Sequence, residues 1–404
     1  MNPIVYAIPV FLVTILIEAW LAHRRRLPVY DTADAITSLH FGVLSQVAVA
    51  FTFIFSFGYY VLIYENLRVF SLPRDSVWVW LFAVLAYDFC YYWVHRCGHE
   101  VNLLWAAHQV HHSSEYYNLT TALRQTATGA FTAWPFYVLL AVIGVPPVVF
   151  ATVALIDLLY QYWVHTELVP RLGWIDRVFV TPSNHRVHHG QNDYCIDRNY
   201  GGILIVWDRL FGTFAEERRD EPVIYGIRTP LGSFNAAWGN FAGYREIWRK
   251  ARAADSWLAA LRTWFDPPAG RGRHQPAFVK DSFRRFDRNT QLTTRYYAIA
   301  QYALLVLPTS HFIAIQAQLG IMPRIAYALV IFSWVVSIGW LLEERRFAPR
   351  VEMLRVLALG AGFVLAPSWF GWALAPAVKI AIAAVLLTGA GWLWSRHARV
   401  QVTT

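Results

Sequence analysis

The chain has 404 residues, of which 56% are hydrophobic and 15% charged, with a formal net charge of +9. A soluble domain averages about 25% charged residues, so this composition excludes an ordinary water-soluble globule and suits an apolar solvent. The basic excess does not mark a nucleic-acid binder: no such motif accompanies it, and much of it flanks apolar runs, at Arg24, Arg25 and Arg26, at Arg345 and Arg346, and at Arg396 and Arg399.

A bilayer core about 30 Å thick needs roughly 20 apolar residues per helix. In chain order the candidate spans are 3–22, 41–64, 77–95, 130–144, 147–165, 295–318, 325–342, 352–372 and 377–395. The first lacks a basic n-region and a small-residue cleavage site, and reads as an uncleaved anchor. The fourth, which is short, and the fifth form a hairpin pivoting on Gly144, Pro146 and Pro147. From 166 to 294 the chain turns polar and is punctuated by Gly and Pro, as expected of a cytosolic segment under the helices. Its basic stretch from Ser183 to Arg285 favours an anionic leaflet.

With Arg24–Arg26 placed inside, alternation puts Arg96, the 166–294 segment, Glu343–Arg350 and the C-terminus on the cytosolic side. His95 and His165 then lie at inner helix ends. The expected fold is all-α, a polytopic integral-membrane helical bundle with a cytosolic helical and loop cap. It divides into N-terminal transmembrane helices (1–76), a catalytic region (77–294) and a C-terminal four-helix transmembrane region (295–404). Arg outnumbers Lys and Ala is plentiful, which points to a GC-rich bacterial genome and an inner membrane.

Nine of the 14 histidines carry the chemistry. His95 and His99 form HRCGH, His108, His111 and His112 form HQVHH, His185, His188 and His189 form HRVHH, and His165 ends the fifth span. Helical residues three and four apart share a face, so each cluster can present two or three imidazoles to one point. Imidazole suits iron, copper, zinc and nickel. The set exceeds the four ligands of a single zinc and suits a pair of metals. No HExxH is present, since His99-Glu100 is followed by Val-Asn-Leu, and no Glu-x-x-His lies at cluster spacing. Asp88, Glu100, Glu115, Asp157, Asp193 and Asp197 are candidate orienters and charge balance. His23, His40, His274, His311 and His397 read as non-ligands. Cys90, Cys97 and Cys195 show neither C-x-x-C pairing nor a disulfide framework.

The motifs HRCGHE, HQVHHSSEYYNLTTALRQ, YQYWVHTE and TPSNHRVHHGQNDYCIDRNYGG, followed by WDRLFGTF, resemble the fatty acid hydroxylase/sterol desaturase superfamily over about residues 75–245. The resemblance implies a membrane di-iron centre held by His95, His99, His108, His111, His112, His185, His188 and His189, with His165 added. It implies an O2-dependent monooxygenase acting on a bilayer lipid. In the branch that cleaves alkylglycerol ethers the reductant is tetrahydrobiopterin, and the acid following HxxxH, here Glu100, is linked to its use. The family tyrosine after the last cluster maps to Tyr200 or Tyr194.

Oxidising an unactivated C–H bond requires a redox metal that side chains cannot replace. Glu100, Tyr200 and Asp197 are the expected catalytic residues. Ser114, Asn118, Thr120, Arg124 and Gln125 are candidate head-group or cofactor contacts, Asn118 and Arg124 foremost for the lipid. Trp105, Trp134, Tyr160 and Trp163 are candidate walls for a lipid chain. No haem or flavin fingerprint appears, so electrons must come from a pterin-like external donor or from a separate electron-transfer protein. A sterol or fatty acyl hydroxylase or desaturase is the nearest alternative. A histidine-rich metal transporter and a zinc hydrolase with Glu100 as base are the alternatives of other classes. Transport predicts ionisable residues near the membrane midplane, whereas here they gather at helix ends.

Overall fold

The computed structural model describes residues 3–270 and 277–402, without the side chains of Ser56, Asp281, Leu393 and 396–402. His274 and the side chains of Arg396, His397 and Arg399 therefore lie outside the described residues. The helices in chain order are α1 Ile4–Arg24, α2 Thr32–Phe53, α3 Tyr59–Leu67, α4 Val77–Glu100, α5 Asn102–His112, α6 Leu119–Ala122, α7 Gly129–Ile143 and α8 Pro147–Trp163. They continue with α9 Pro182–His188, α10 Val206–Leu210, α11 Ala236–Arg252, α12 Trp257–Thr263, α13 Leu292–Ile315, α14 Ile321–Leu342, α15 Ala348–Leu365 and α16 Pro376–Val402. Among the described residues extended pairing is limited to isolated bridges, such as Phe179 with Leu204 and Gly190 with Tyr225. The fold is all-α, as composition and spans require.

Five helices, α1, α2, α4, α13 and α14, are long and apolar enough to cross a membrane, and α7, α8 and Pro376–Trp392 are shorter apolar helices. At 1.5 Å per residue, the 15 residues of α7 reach only about 23 Å, so this segment falls short of a full crossing. The second span starts earlier than hydropathy suggests. Asp31 caps α2, accepting from the N–H groups of Ala33 and Asp34, and the helix continues through a π turn at Ile54–Gly58 into α3. Its first turns bury Asp34, Thr37, Ser38 and His40 against protein, a environment that hydropathy cannot recognise. The helix expected at 352–372 runs from Ala348 to Leu365 and is not among those apolar enough to cross a membrane, because it carries Arg350, Glu352 and Arg355; Pro367 lies just beyond it, and Trp369 and Trp372 pair through their backbones.

The backbone separates into two compact units. One comprises Pro9–Leu231 and Gly239–Arg285. Its core is an aromatic stack among α3, α4, α7 and α8, with Tyr60 and Phe150 centroids 3.9 Å apart and Tyr87 and Tyr137 4.7 Å apart. The α7–α8 turn depends on Gly144, whose φ is +104° and where an added Cβ would lie 1.9 Å from the Phe70 carbonyl oxygen. Pro147 then opens α8 with its preset φ.

The other unit comprises Met1–Ile8, Gly232–Trp238 and Phe286–Thr404. There α15 carries a fully buried Glu352 that receives hydrogen bonds from Tyr297 at 2.6 Å, Ser337 at 2.6 Å and Arg355 Nε at 2.8 Å. Gln301 Oε1 accepts from Arg355 Nη2 at 2.8 Å. A buried charge persists when it is paired in this way.

Candidate metal centre

Two helices supply most of the imidazoles. On α4, His95 and His99 occupy successive turns of one face just before the helix ends at Glu100. A single extended residue, Val101, turns the chain into α5, which carries His108, His111 and His112. Thr181 and Asn184 form a capping box that starts α9, with Pro182 in the first turn, and α9 carries His185 and His188 with His189 at its C-cap. His165 follows α8.

The clusters do not each serve one point. In HxxHH the first and last histidines are four apart and share a face, while the middle one is rotated away. His108 and His112 from α5 join His95, His99 and His188 in one group. His185 and His189 join His111 and His165 in the other. Each helix gives its pair to one group and its single histidine to the other. Within each group the ligand atoms all lie within 4.8 Å of one another.

Ring orientation is set by main-chain carbonyls. Nδ1 donates to Tyr200 O from His95 at 2.8 Å, to Arg124 O from His111 at 3.1 Å, to Gln161 O from His165 at 2.8 Å, and to Arg198 O from His188 at 2.9 Å. A carbonyl accepts only, so each of these rings presents a bare Nε2 lone pair inward. His111 Nε2 and His165 Nε2 face each other at 3.1 Å. In the other group His95 Nε2 and His108 Nε2 are 3.0 Å apart, and His188 Nε2 and His112 Nε2 3.1 Å. Burial first, then neighbouring imidazoles, push His108, His112, His185, His188 and His189 well below the usual histidine range. Burial likewise lowers His111 to about 4. Neutral rings with lone pairs facing one another in a buried space repel unless a cation lies between them. For a metal–imidazole bond of about 2.1 Å, ligands at right angles sit about 3.0 Å apart and opposite ligands about 4.2 Å. The nearest Nε2 pairs in both groups, at 3.0 to 3.2 Å, match the right-angle spacing.

Most of the expected carboxylate orienters are engaged away from the rings. Asp88 accepts from Ile203 N at 2.7 Å, Leu204 N at 3.1 Å and Trp207 Nε1 at 2.9 Å, clamping the loop whose Tyr200 carbonyl holds His95. Gly202 lets that loop approach, since a Cβ there would lie 2.8 Å from Asp157 Oδ1 and 2.9 Å from Asp88 Oδ1. Asp157 accepts from Gln161 Nε2, and Asp193 pairs with Arg228. Glu115 is buried. Asp197 comes nearest a ring, 3.8 Å from His99 Nδ1, with its side chain half exposed; burial and then Glu100 raise its carboxyl to about 6. Glu100 is exposed and paired with Arg96 at 2.9 Å.

Tyr200 is buried beside the five-histidine group, with ring centroids 5.3 Å from His99 and 5.9 Å from His95. Tyr194 instead donates to Glu221 O, so of the two tyrosines Tyr200 is the one at the site. Asn118 and Arg124 are not exposed head-group contacts. Asn118 caps α6 and donates to Val29 O at 2.7 Å. Arg124 is 2% exposed and bonds Asp34 at 3.1 Å, Ser38 at 3.0 Å and Ser113 at 3.1 Å. Both brace α2 and the loop that aims His111. Of the expected wall aromatics, Trp105 lies 5.1 Å from the His99 ring, whereas Trp134 packs on Tyr59, and Tyr160 and Trp163 pack around Val164 and Val180. Ser114 bonds Asp34 and Gln125 bonds Ala122 O.

Sequence reasoning missed several supports. Tyr117 packs 5.2 Å from His189 and 5.6 Å from His165. Asp208 accepts from the N–H groups of Tyr200 and Gly201, each at 2.8 Å. Glu18 on α1 accepts from Leu119 N at 2.8 Å and from Thr166. Arg186 grips Glu217 with two bonds of 2.7 and 2.8 Å and also reaches Thr166 O and Val169 O. The only sequence signal for Arg186 and Asp208 is that they fall inside the HRVHH and WDRLFGTF motifs.

Fold and site together define a helical, multi-pass membrane protein with two adjacent histidine groups that could hold a metal pair. Residues 80–213 match the fatty acid hydroxylase family model. Alkylglycerol monooxygenase of Homo sapiens is 39% identical over 362 residues, covering 87% of this chain and 80% of its own length. That of Danio rerio is 39% identical over 363 residues, with the same coverage. Ornithine lipid hydroxylase OlsE of Rhizobium tropici is 31% identical over 148 residues, covering 35% of this chain and 43% of its own. No solved structure gives a significant match. The chain belongs to the fatty acid hydroxylase family, whose members are lipid-oxidising oxygenases, and its similarity to alkylglycerol monooxygenases extends over most of its length. That membership disfavours the transporter reading.

Proposed function

We propose that the chain inserts oxygen from O2 into a C–H bond of a membrane lipid, and that its substrate is an alkylglycerol hydroxylated next to the ether oxygen. The hemiacetal so formed collapses to a fatty aldehyde and glycerol, the second oxygen atom leaving as water with two electrons and two protons from an external donor. The carrying observation is the pair of facing lone pairs on His111 and His165, together with the convergence of five further imidazole nitrogens in the other group, an arrangement that suits a cation in each. Similarity to the alkylglycerol monooxygenases over 87% of the chain supports the substrate.

His95, His99, His108, His112 and His188 would hold one iron, and His111, His165, His185 and His189 the other. The irons, when bound, supply the redox chemistry that no side chain provides. The carbonyls of Tyr200, Arg124, Gln161 and Arg198 fix which nitrogen of each ring is offered. Burial keeps the rings neutral and excludes water. Tyr200 keeps its proton, because burial raises the hydroxyl strongly, and offers a hydrogen-bond donor beside the five-histidine group. Asp197 and Glu100 stand at the exposed edge near His99, where Glu100 would meet a soluble pterin or a separate electron-transfer protein. We take this face as cytosolic, a reading that the positive-inside pattern of the basic residues supports.

The test is purified chain in lipid nanodiscs with alkylglycerol, O2 and reduced tetrahydrobiopterin. Iron-dependent release of fatty aldehyde is the expected result. Hydroxylated ornithine lipid or fatty acid without aldehyde would move the substrate within the family, and undiminished turnover after iron removal would end the proposal.

A further inference from the structure

Outside the spans, the surface of α11 and α12 exposes large apolar side chains. On α11 the buried face is made by Gly239, Gly243, Ile247 and Ala251. An added Cβ at Gly239 would meet the Phe41 ring at 2.3 Å, and one at Gly243 would lie 2.9 Å from Ala106 Cα. The opposite stripe, at spacings of four, three and four, carries Phe241, Arg245, Trp248 and Arg252, all exposed. After a short turn α12 adds Trp257, 78% exposed, and Leu261, 51% exposed. Aromatic and aliphatic groups alternating with arginines on a solvent-facing helix would be costly in water. They match a helix lying in the head-group zone of a bilayer, rings in the acyl boundary and cations at the phosphates.

The bonding of this segment fixes its level. Asn240 Oδ1 accepts from Ala127 N at 2.8 Å, and Tyr244 and Thr128 hydroxyls meet at 2.7 Å, immediately before α7 begins at Gly129. At the other end, Asp266 O and Trp264 O accept from Asn102 N at 3.0 Å and Leu103 N at 2.8 Å, immediately after α4 ends at Glu100. The segment is tied to the two points where apolar helices leave the membrane. Between 239 and 266 five cations, Arg245, Arg249, Lys250, Arg252 and Arg262, stand against the three acids Glu246, Asp255 and Asp266.

The geometry points to α11–α12 as an interfacial strap that seats on anionic phospholipid head groups. The strap is bonded directly to α5, so the leaflet surface and the helix bearing His108, His111 and His112 share one rigid connection. The inference needs the membrane reading but not the oxygenase chemistry, so the two can fail separately.

The experiment places p-benzoylphenylalanine at Trp248 or Trp257 of the full chain in nanodiscs of phosphatidylcholine with a minority of phosphatidylglycerol, followed by irradiation and mass analysis. Adducts with phospholipid are expected at both positions, with phosphatidylglycerol enriched above its molar share. Arg245→Glu combined with Arg252→Glu should lower that enrichment about fivefold or more while histidine-bound iron is retained. Absence of lipid adducts at both positions, cross-linking to a second copy of the chain, or adducts that merely follow the bilayer's composition would overturn the proposal.

Discussion

In the C-terminal helices a buried carboxylate is surrounded by donors: Glu352 takes bonds from Tyr297, Ser337 and Arg355, so its charge is met from within the fold. In the histidine unit the ring nitrogens converge on one another, four of the rings with their only N–H already given to a carbonyl. The first arrangement meets its carboxylate in full as folded, with Arg355 Nη1 the one nitrogen of that guanidinium left without a hydrogen-bond partner. The second becomes favourable only when positive charge enters, because the desolvation and mutual repulsion of the lone pairs are otherwise uncompensated. A network whose opposite charges are paired is a device for stability, and convergent imidazoles with no counter-charge are a device for binding.

The sharpest way to break the comparison is to remove one imidazole. His111→Ala should abolish lipid-dependent O2 uptake and lower bound iron, while the chain still inserts in the membrane. Retained turnover would contradict the assignment of the four-histidine group. Removing the metal with a chelator should come next in effect. Hydrogen exchange should rise in α5 and α9, whose facing rings lose their cation, and stay unchanged in α13–α16. Equal changes in both units would erase the distinction drawn above.

The converse substitution is Glu352→Ala, which leaves Arg355 buried without its counter-charge and should cost about 3–5 kcal/mol, read as a lowered unfolding midpoint. Iron content should be unaffected. A smaller effect is expected at Glu217. Burial raises this carboxyl, but the two bonds from Arg186 outweigh it, so it lies below its usual range. Its contribution is therefore full above the ordinary carboxylate range and is lost as pH falls through the depressed value. Glu217→Gln should lower the unfolding midpoint at neutral pH and flatten the acid side of the stability profile. A midpoint unchanged at neutral pH would show that the Arg186 pair adds nothing.

Much of the site was legible because histidine at helical spacing is a direct statement of which rings share a face. All nine expected ligands fall within the two groups. What misled was reading each HxxHH as serving one point: His111 and His188 are each rotated from their helix's own pair and cross to the other group. The orienting partners were illegible for a different reason. A main-chain carbonyl has no letter in the sequence, so the roles of Tyr200 O and Arg198 O appear only when the loop is folded. Asp34 and Arg124 are likewise joined across 90 positions, and nothing local to either announces the other. The apolar helices followed from hydropathy, except at α15, whose three charges leave it outside the helices apolar enough to cross, and at the start of α2, where polar residues such as Asp34 and Ser38 turn inward to protein.

The central claim is that a metal ion belongs in each of two histidine groups. Anomalous scattering at the iron edge from iron-loaded protein tests it directly. The account requires two peaks, one among the ring nitrogens of His95, His99, His108, His112 and His188 and the other among those of His111, His165, His185 and His189. A single peak, or density outside both groups, would contradict it.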